Sequence, residues 1–420
     1  MSGRAPAGGA VAVVGAGMAA ARFAERYQAL GGRGEVTLYG AEPAAPYNRV
    51  LLTDVLTGRY GAAALTLPYG SAVVRTGREV TAVDPTARVL RLADGTSAAY
   101  DELVLATGAE PVLPPVRGLR GPGGALREGV HVFRTLADCR RLAVAAAAAE
   151  RAVVVGGGVL GVSAARALTV PGGGGAARRP DRLPVEIVER APLLAGRHLD
   201  GPAAALLRQG LGALGVAVSV GSRARALPGT GPVTGVELAS GRVLDADLVV
   251  LACGVRPRTG LARAAGLPVR AGVVVDDALA CAPGVHAIGD CAEHRGTAYG
   301  TALTAWDQAD VLAARLSGAD PGAVYRGSRP PARLTAGPLE YAAFGETGEG
   351  GEADPGLDVL RLADATRGAY RKLVLRGDRL VGGILLGDPA AACALSRAYE
   401  RDEPLPADPL SLLITRGASR

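Results

Sequence analysis

Two glycine-rich turns are the residues of this chain whose types and spacing best suit chemistry. Gly15-Ala16-Gly17-Met18-Ala19-Ala20 fits G-x-G-x-x-G/A, and Gly156-Gly157-Gly158-Val159-Leu160-Gly161 fits G-x-G-x-x-G in full. The chemistry is phosphate cradling. The first glycine allows a tight turn, and the second, Gly17 or Gly158, has no side chain to hold a pyrophosphate away from the backbone. The third position, Ala20 or Gly161, is small enough for a helix to pack on a strand. The start of that helix offers unpaired N–H groups and a partial positive charge. Two carboxylates are placed to bond ribose hydroxyls: Glu42, just past the second strand of the first unit, and Glu189, which ends the second strand of the second.

The elements that must position these turns are legible around them. Val11–Val14 is wholly apolar and β-branched, so it reads as a buried parallel strand. A helix follows from Ala20 to Arg26 and a strand over Glu35–Tyr39. Asp101–Leu105 is a strand running into Ala106-Thr107-Gly108. The second unit repeats the plan: a strand over Ala152–Val155, a helix over Val162–Leu168, a strand over Val185–Val188, and Asp247–Pro257 echoing Asp101–Pro111. The fingerprints begin 141 residues apart, at Gly15 and Gly156, so the chain contains an internal repeat. Val285–Ile288 leads into Gly289-Asp290, and Thr301–Leu316 has helical periodicity. Pro111–Gly124 is rich in Pro and Gly and reads as a linker, and 171–184 as a flexible surface insertion. From about Arg326 short strand-like runs, such as Lys372–Arg376 and Leu380–Leu386, suggest a third domain. The fold expected is α/β: two Rossmann-like dinucleotide-binding domains plus a C-terminal α+β domain. The boundaries are 1–124 and 255–325 for the two parts of the first domain, 125–254 for the second and 326–420 for the third.

Composition narrows the function classes. With 420 residues and 49% apolar content, the chain can bury several cores. No stretch has the length of uninterrupted apolar sequence that a membrane span needs. Glycines interrupt the apolar start of the chain, which argues against a signal peptide. Five cysteines with no C-x-x-C argue against a redox dithiol, a zinc ribbon or an iron–sulfur cluster in this chain, and a cytoplasmic location is expected. The net charge of +6 is spread along the chain rather than gathered in a basic arm, so no nucleic-acid partner is expected. Lys372 is the single lysine, which excludes a P-loop.

Taken together, the two fingerprints, Ala106-Thr107-Gly108 and Ile288-Gly289-Asp290 resemble the two-dinucleotide flavoprotein reductases, the pyridine nucleotide-disulphide group that includes rubredoxin and ferredoxin reductases. Ala41-Glu42-Pro43, Tyr47-Asn48-Arg49-Val50 and Gly382–Asp388 are similar, more narrowly, to the flavin-bearing N-terminal part of the large subunit of NADH-dependent nitrite reductase. The resemblance implies that FAD lies at Gly15, Gly17, Met18 and Ala19, with Thr107, Gly108, Gly289 and Asp290 completing its site. Asp290 would accept from the ribityl chain. Glu42, Arg49 and Trp306 would lie near the same cofactor. NAD(P)H would lie at Gly156, Gly158, Val159, Leu160 and Gly161, with Gly254 beyond the strand end. Glu189 favours NADH, because a carboxylate repels a 2′-phosphate, although Arg190 beside it could accommodate one. The helix after Thr301 would direct its N-terminus at the flavin.

The expected activity is an NAD(P)H oxidoreductase in which NADH reduces bound FAD and electrons leave singly to a separate iron–sulfur or haem protein, in nitrite or nitrate assimilation. Ferredoxin or rubredoxin reduction, quinone or oxygen reduction, and a non-enzymatic redox sensor are the alternatives. No side chain is assigned as a catalytic acid or base, and no metal site is expected. The lysine that rubredoxin-reductase relatives often carry is replaced by Asp54, after Thr53. The chain ends before any metal-ligand cysteines, so nitrite reduction by the chain itself is not expected. A homodimer is left open.

Overall fold

The computed structural model describes residues 9–170, 182–336, 339–348, 354–364, 366–387 and 389–405. The insertion read over 171–184 lies outside the described residues except for 182–184. The chain divides into two compact units. One is drawn from 1–51, 61–110 and 255–328, the other from 52–60, 111–254 and 329–420.

The first unit is built on a six-stranded sheet in the order Ala280–Ala282, Val285–Ala287, Glu102–Leu105, Val11–Val14, Val36–Gly40, Val73–Thr76. All neighbours are parallel except the first pair. Val11–Val14 is central and buried throughout, as a β-branched run covered on both faces must be. Val14 lies opposite both Tyr39 and Leu105, so three strands end level with one another at the turn that follows Val14. The helix Met18–Ala29 packs its small residues Ala19, Ala20 and Ala24, with Phe23, into this core. It is tied to the helix Ala302–Ser317 by Arg22, which donates to both carboxylate oxygens of Asp310 at 2.7 and 2.9 Å. Val80–Asp84, Val89–Leu92 and Ser97–Ala99 form a separate antiparallel sheet, turning at Asp94-Gly95.

The second unit repeats the arrangement. Its parallel sheet runs Val216–Ser219, Val185–Val188, Ala152–Val155, Leu248–Leu251, Val130–Val132. Val155 faces Val188 and Leu251 as Val14 faces Tyr39 and Leu105. The C-terminal part of this unit is an antiparallel sheet ordered Ala332–Ala336, Leu339–Gly345, Arg379–Leu386, Ala369–Arg376, Asp358–Asp364, covered by the helix Pro389–Arg401. Phe344, Leu373, Leu375, Leu380, Leu385 and Leu395 make its core.

Two readings are corrected here. Pro111–Gly124 is not a free linker: Val116 and Leu119 are buried in the second unit's core, and Arg117 exchanges backbone hydrogen bonds with Arg225 and Leu227. Two apolar side chains among the prolines anchor it. The first fingerprint helix starts at Met18 rather than Ala20, because helical geometry begins directly after Gly17. Helices Leu136–Ala148 and Gly201–Ala213 carry no clear signal in the sequence pattern. The first ends in a run of alanines, which has high helix propensity but no periodicity; its start is marked by a Thr135/Asp138 capping box.

Candidate functional site

The turn after Val14 is forced by close backbone approach. Gly15 has φ +113°, and a Cβ there would stand 2.1 Å from the Ala106 carbonyl oxygen. Gly156 repeats this with φ +114° and a Cβ 2.3 Å from the Ala252 carbonyl. The second glycines behave oppositely. Nothing lies within 4 Å of where a Cβ would be at Gly17 or Gly158, so their missing side chains leave space for a ligand rather than for protein. At the third position Gly161 touches the Gly156 carbonyl, where a Cβ would come to 1.8 Å, while the first unit accommodates Ala20 fully buried.

Both fingerprint helices begin without a side-chain cap. Met18–Ala29 starts at Gly17 and Val159–Thr169 at Gly158, with no capping bond and no acidic residue in the first turn of either. Three longer helices, Leu136–Ala148, Gly201–Ala213 and Ala302–Ser317, are capped by Thr135, Asp200 and Thr301, while the five-residue helix Gly260–Ala264 has no side-chain cap. Uncapped N–H groups facing open space are the donor set a phosphate needs. These residues therefore fit the pyrophosphate of a dinucleotide in each unit.

In the first unit the structure brings several expected residues together. Gly289, with φ +77°, packs on Ala19, where a Cβ would come within 3.0 Å of the Ala19 Cβ. Asp290 follows in a single 3-10 turn, Gly289–Cys291. Thr107 follows the Ala106 carbonyl that packs on Gly15, and its hydroxyl donates to the Arg258 carbonyl at 2.8 Å. Gly108, with φ +70°, accepts from Arg258 N at 2.9 Å. Trp306 is half-buried; the residues of its helix that meet the Gly289 turn are Ala305 and Gln308.

The two expected ribose carboxylates are not equivalent. Gly15 N donates to the Tyr39 carbonyl and Gly156 N to the Val188 carbonyl, so the position matching Glu189 in the first unit is Gly40. Gly40 faces Ala16, where a Cβ would stand 2.8 Å from the Ala16 Cβ, just as Gly157 faces Glu189. Glu189 turns back on its own fingerprint, accepting from Gly157 N at 2.6 Å and Ala191 N at 2.7 Å. Glu42, two residues beyond Gly40, is instead gathered into a cluster: it pairs with Arg49 and accepts from the Tyr47 hydroxyl at 2.7 Å. Arg49 also lies over the Tyr47 ring, 4.8 Å from its centroid. Sequence reading missed Gly40; counting residues from each paired strand would have found it.

Burial disfavours the thiolate form of four cysteines. Burial pushes Cys139 and Cys253 up to about 11 and Cys281 to about 12, and it raises the fully buried Cys291 as well. A cavity of about 610 Å³ in the first unit is lined by Arg270, Val275, Asp277, Arg295, Arg315 and Val324. Arg315 lies about 15 Å along its helix from Ala305, the residue that meets the Gly289 turn. Among the described residues, no helix is long and apolar enough to cross a membrane.

Comparison with known proteins agrees with this geometry. The pyridine nucleotide-disulphide oxidoreductase family matches residues 9–309, and the rubredoxin NAD+ reductase C-terminal domain matches 341–403. The chain is 33% identical over 398 residues to a NAD(P)H nitrite reductase of Bacillus subtilis, covering 93% of this chain and 47% of that protein. It is 31% identical over 324 residues to the rubredoxin–NAD(+) reductase of Pseudomonas putida, covering 74% of this chain and 80% of that one. Putidaredoxin reductase, solved in covalent complex with putidaredoxin, superposes with a TM-score of 0.82 at 25% identity over 97% of this chain and 96% of that one. The chain spans less than half the length of the nitrite and nitrate reductase relatives it matches. The fold and the paired turns define an oxidoreductase with two dinucleotide sites. The chain belongs to the pyridine nucleotide-disulphide oxidoreductase family, with FAD and NAD(P)H as its cofactors.

Proposed function

We propose that the chain carries electrons from NADH through FAD to a separate one-electron redox protein, an iron–sulfur or haem carrier serving nitrite or nitrate assimilation. The observation that carries the reading is the pair of uncapped helix starts, each behind a glycine with open space where a side chain would be. When bound, FAD accepts two electrons as hydride and releases them one at a time, the chemistry needed between a nicotinamide and a metal centre.

The chain's own residues bind and orient. In this reading Gly15 makes the tight turn, Gly17, Met18 and Ala19 present N–H groups at the helix start to the FAD pyrophosphate, Asp290 accepts from the ribityl chain, and Thr107 and Gly108 shape the wall beside it. Glu42 reaches the adenosine ribose from the cluster with Tyr47 and Arg49, and Trp306 lies towards the flavin. Gly156, Gly158, Val159, Leu160 and Gly161 hold the nicotinamide dinucleotide, with Glu189 at its ribose and Gly254 at the strand end. No proton transfer by a side chain is required. The relatives support the acceptor class: one is named an assimilatory nitrate reductase electron transfer subunit, another a rubredoxin reductase.

Steady-state reduction of ferredoxins, rubredoxins and nitrite or nitrate reductase subunits, compared with quinones and oxygen, tests the proposal. A protein carrier should be preferred. Its rate should fall as ionic strength rises and the Debye length shrinks from about 30 Å at 0.01 M to about 10 Å at 0.1 M. Quinone or oxygen reduced tenfold faster in kcat/KM than every carrier would refute the proposal.

A further inference from the structure

We propose that Gln308 is a positioning residue for the Gly289-Asp290 turn, and through that turn for the ribityl end of FAD. The inference rests on the FAD site proposed above. Gln308 is 1% exposed and lies on the face of Ala302–Ser317 that also carries the buried Ala305, Ala309, Leu312 and Ala313. A polar side chain in such a stripe costs stability unless its hydrogen bonds are made inside the protein. Its Oε1 accepts from Gly289 N at 2.7 Å. Because Gly289 N–H can only donate, the bond fixes which end of the amide faces the turn.

The bond lies where it matters. Gly289 adopts a left-handed conformation wedged between Ala19, in the first turn of the fingerprint helix, and Ala305. Asp290 is the next residue. Cys291 braces the other side of the turn, its thiol within 3.3 Å of the Leu105 and Ile288 carbonyls. Beside Gln308, Asp307 on the same helix ends a part-buried polar chain. Tyr325, 2% exposed, meets the Ser328 hydroxyl at 2.8 Å, and Ser328 donates to Asp307 at 2.6 Å. Burial raises the Tyr325 hydroxyl, while Ser328 and the Gln308 amide act in the opposite direction. A leucine at 308 would complete the apolar stripe but leave Gly289 N–H without this acceptor, free to rotate the turn that presents Asp290.

The test compares Gln308→Met, which removes the acceptor at similar volume, with Gln308→Glu, which keeps it. Full-length apoproteins are titrated with FAD, and flavin visible circular dichroism is recorded beside the apoprotein Tm. Gln308→Met should weaken FAD binding at least tenfold and alter the flavin dichroism with little change in apoprotein Tm. Gln308→Glu should stay within about threefold of wild type. Wild-type affinity in Gln308→Met, or equal weakening in both variants, overturns the inference. Should Gln308→Met not fold, Tyr325→Phe carries the test: at least threefold weaker binding supports the polar chain, and an unchanged Kd overturns it. A wild-type protein that binds no FAD refutes the proposed function instead.

Discussion

Lys372 Nζ lies 3.4 Å from Oδ2 of Asp200, and both side chains are withdrawn from solvent. The single lysine of the chain thus comes from the C-terminal sheet to a carboxylate that also caps the helix Gly201–Ala213 through Ala203 N. The Tyr370 hydroxyl donates to the same Asp200 oxygen at 2.7 Å, and Lys372 donates to the Thr347 carbonyl at 3.2 Å. Removing one partner strands a buried charge, whereas removing both is far less costly. Lys372→Met should therefore destabilise the protein by about 3 kcal/mol or more. The Asp200→Asn/Lys372→Met double variant should recover a substantial part of the loss. Denaturant unfolding of the four proteins checks this; strictly additive losses would show the pair to be uncoupled.

Gly17 and Gly15 should respond differently to substitution. Gly17→Val meets open space at an ordinary φ, so the apoprotein should fold with a Tm near wild type and lose FAD. Gly15→Ala drives a Cβ into the Ala106 carbonyl at positive φ and should lower Tm itself. Flavin content and apoprotein Tm separate the two, and a Gly17→Val protein with full flavin would sink the assignment of the first turn.

NADH should be preferred over NADPH. The Glu189 carboxylate is held in place by Gly157 N and Ala191 N, next to the open space at Gly158. Glu189→Ala should lower the NADH/NADPH ratio of kcat/KM by roughly tenfold, about 1.4 kcal/mol. Equal use of both cofactors by the wild type would contradict the assignment.

Thiol chemistry should be dispensable. Cys139, Cys253, Cys281 and Cys291 are all raised above the ordinary thiol range, chiefly by burial. A variant with all five cysteines replaced by Ser or Ala, provided it folds, should keep NADH–ferricyanide activity within a few-fold. Loss of electron transfer at normal flavin content would show that a thiol takes part.

Acid should weaken the second unit. His131 and His198 are held below their ordinary value of 6.5, by burial first and then by Arg141 and Arg197 respectively, with Asp138 acting against the shift at His131. The unfolded imidazoles take up protons near that value and the folded ones only at lower pH. Their stabilising effect is therefore full above about pH 7 and is lost as pH falls through the folded pKa. Tm should drop between about pH 7.5 and 5.5, and His131→Gln/His198→Gln should flatten that part of the curve. A profile identical in both proteins would remove the histidines from the account.

The sequence by itself determined what local chemistry dictates. Apolar β-branched runs made Val11–Val14 and Ala152–Val155 central parallel strands, and the spacing of Gly15, Gly17, Gly156 and Gly158 marked two tight strand-to-helix turns. Their repetition revealed the tandem plan, because those constraints act within a few residues of each other. Tertiary structure decided the relationships that run between distant segments. Strand register showed Gly40, rather than Glu42, to be the counterpart of Glu189. Burial of Val116 and Leu119 turned an apparent linker into core. Packing of Ala302–Ser317 against the Gly289 turn gave Gln308 a partner nineteen residues away. Lys372 and Asp200 found each other only through packing of the C-terminal sheet within the second unit. A hydrogen bond or ion pair between distant residues leaves no local pattern in the sequence; its partners are chosen by the packing that brings their backbones together.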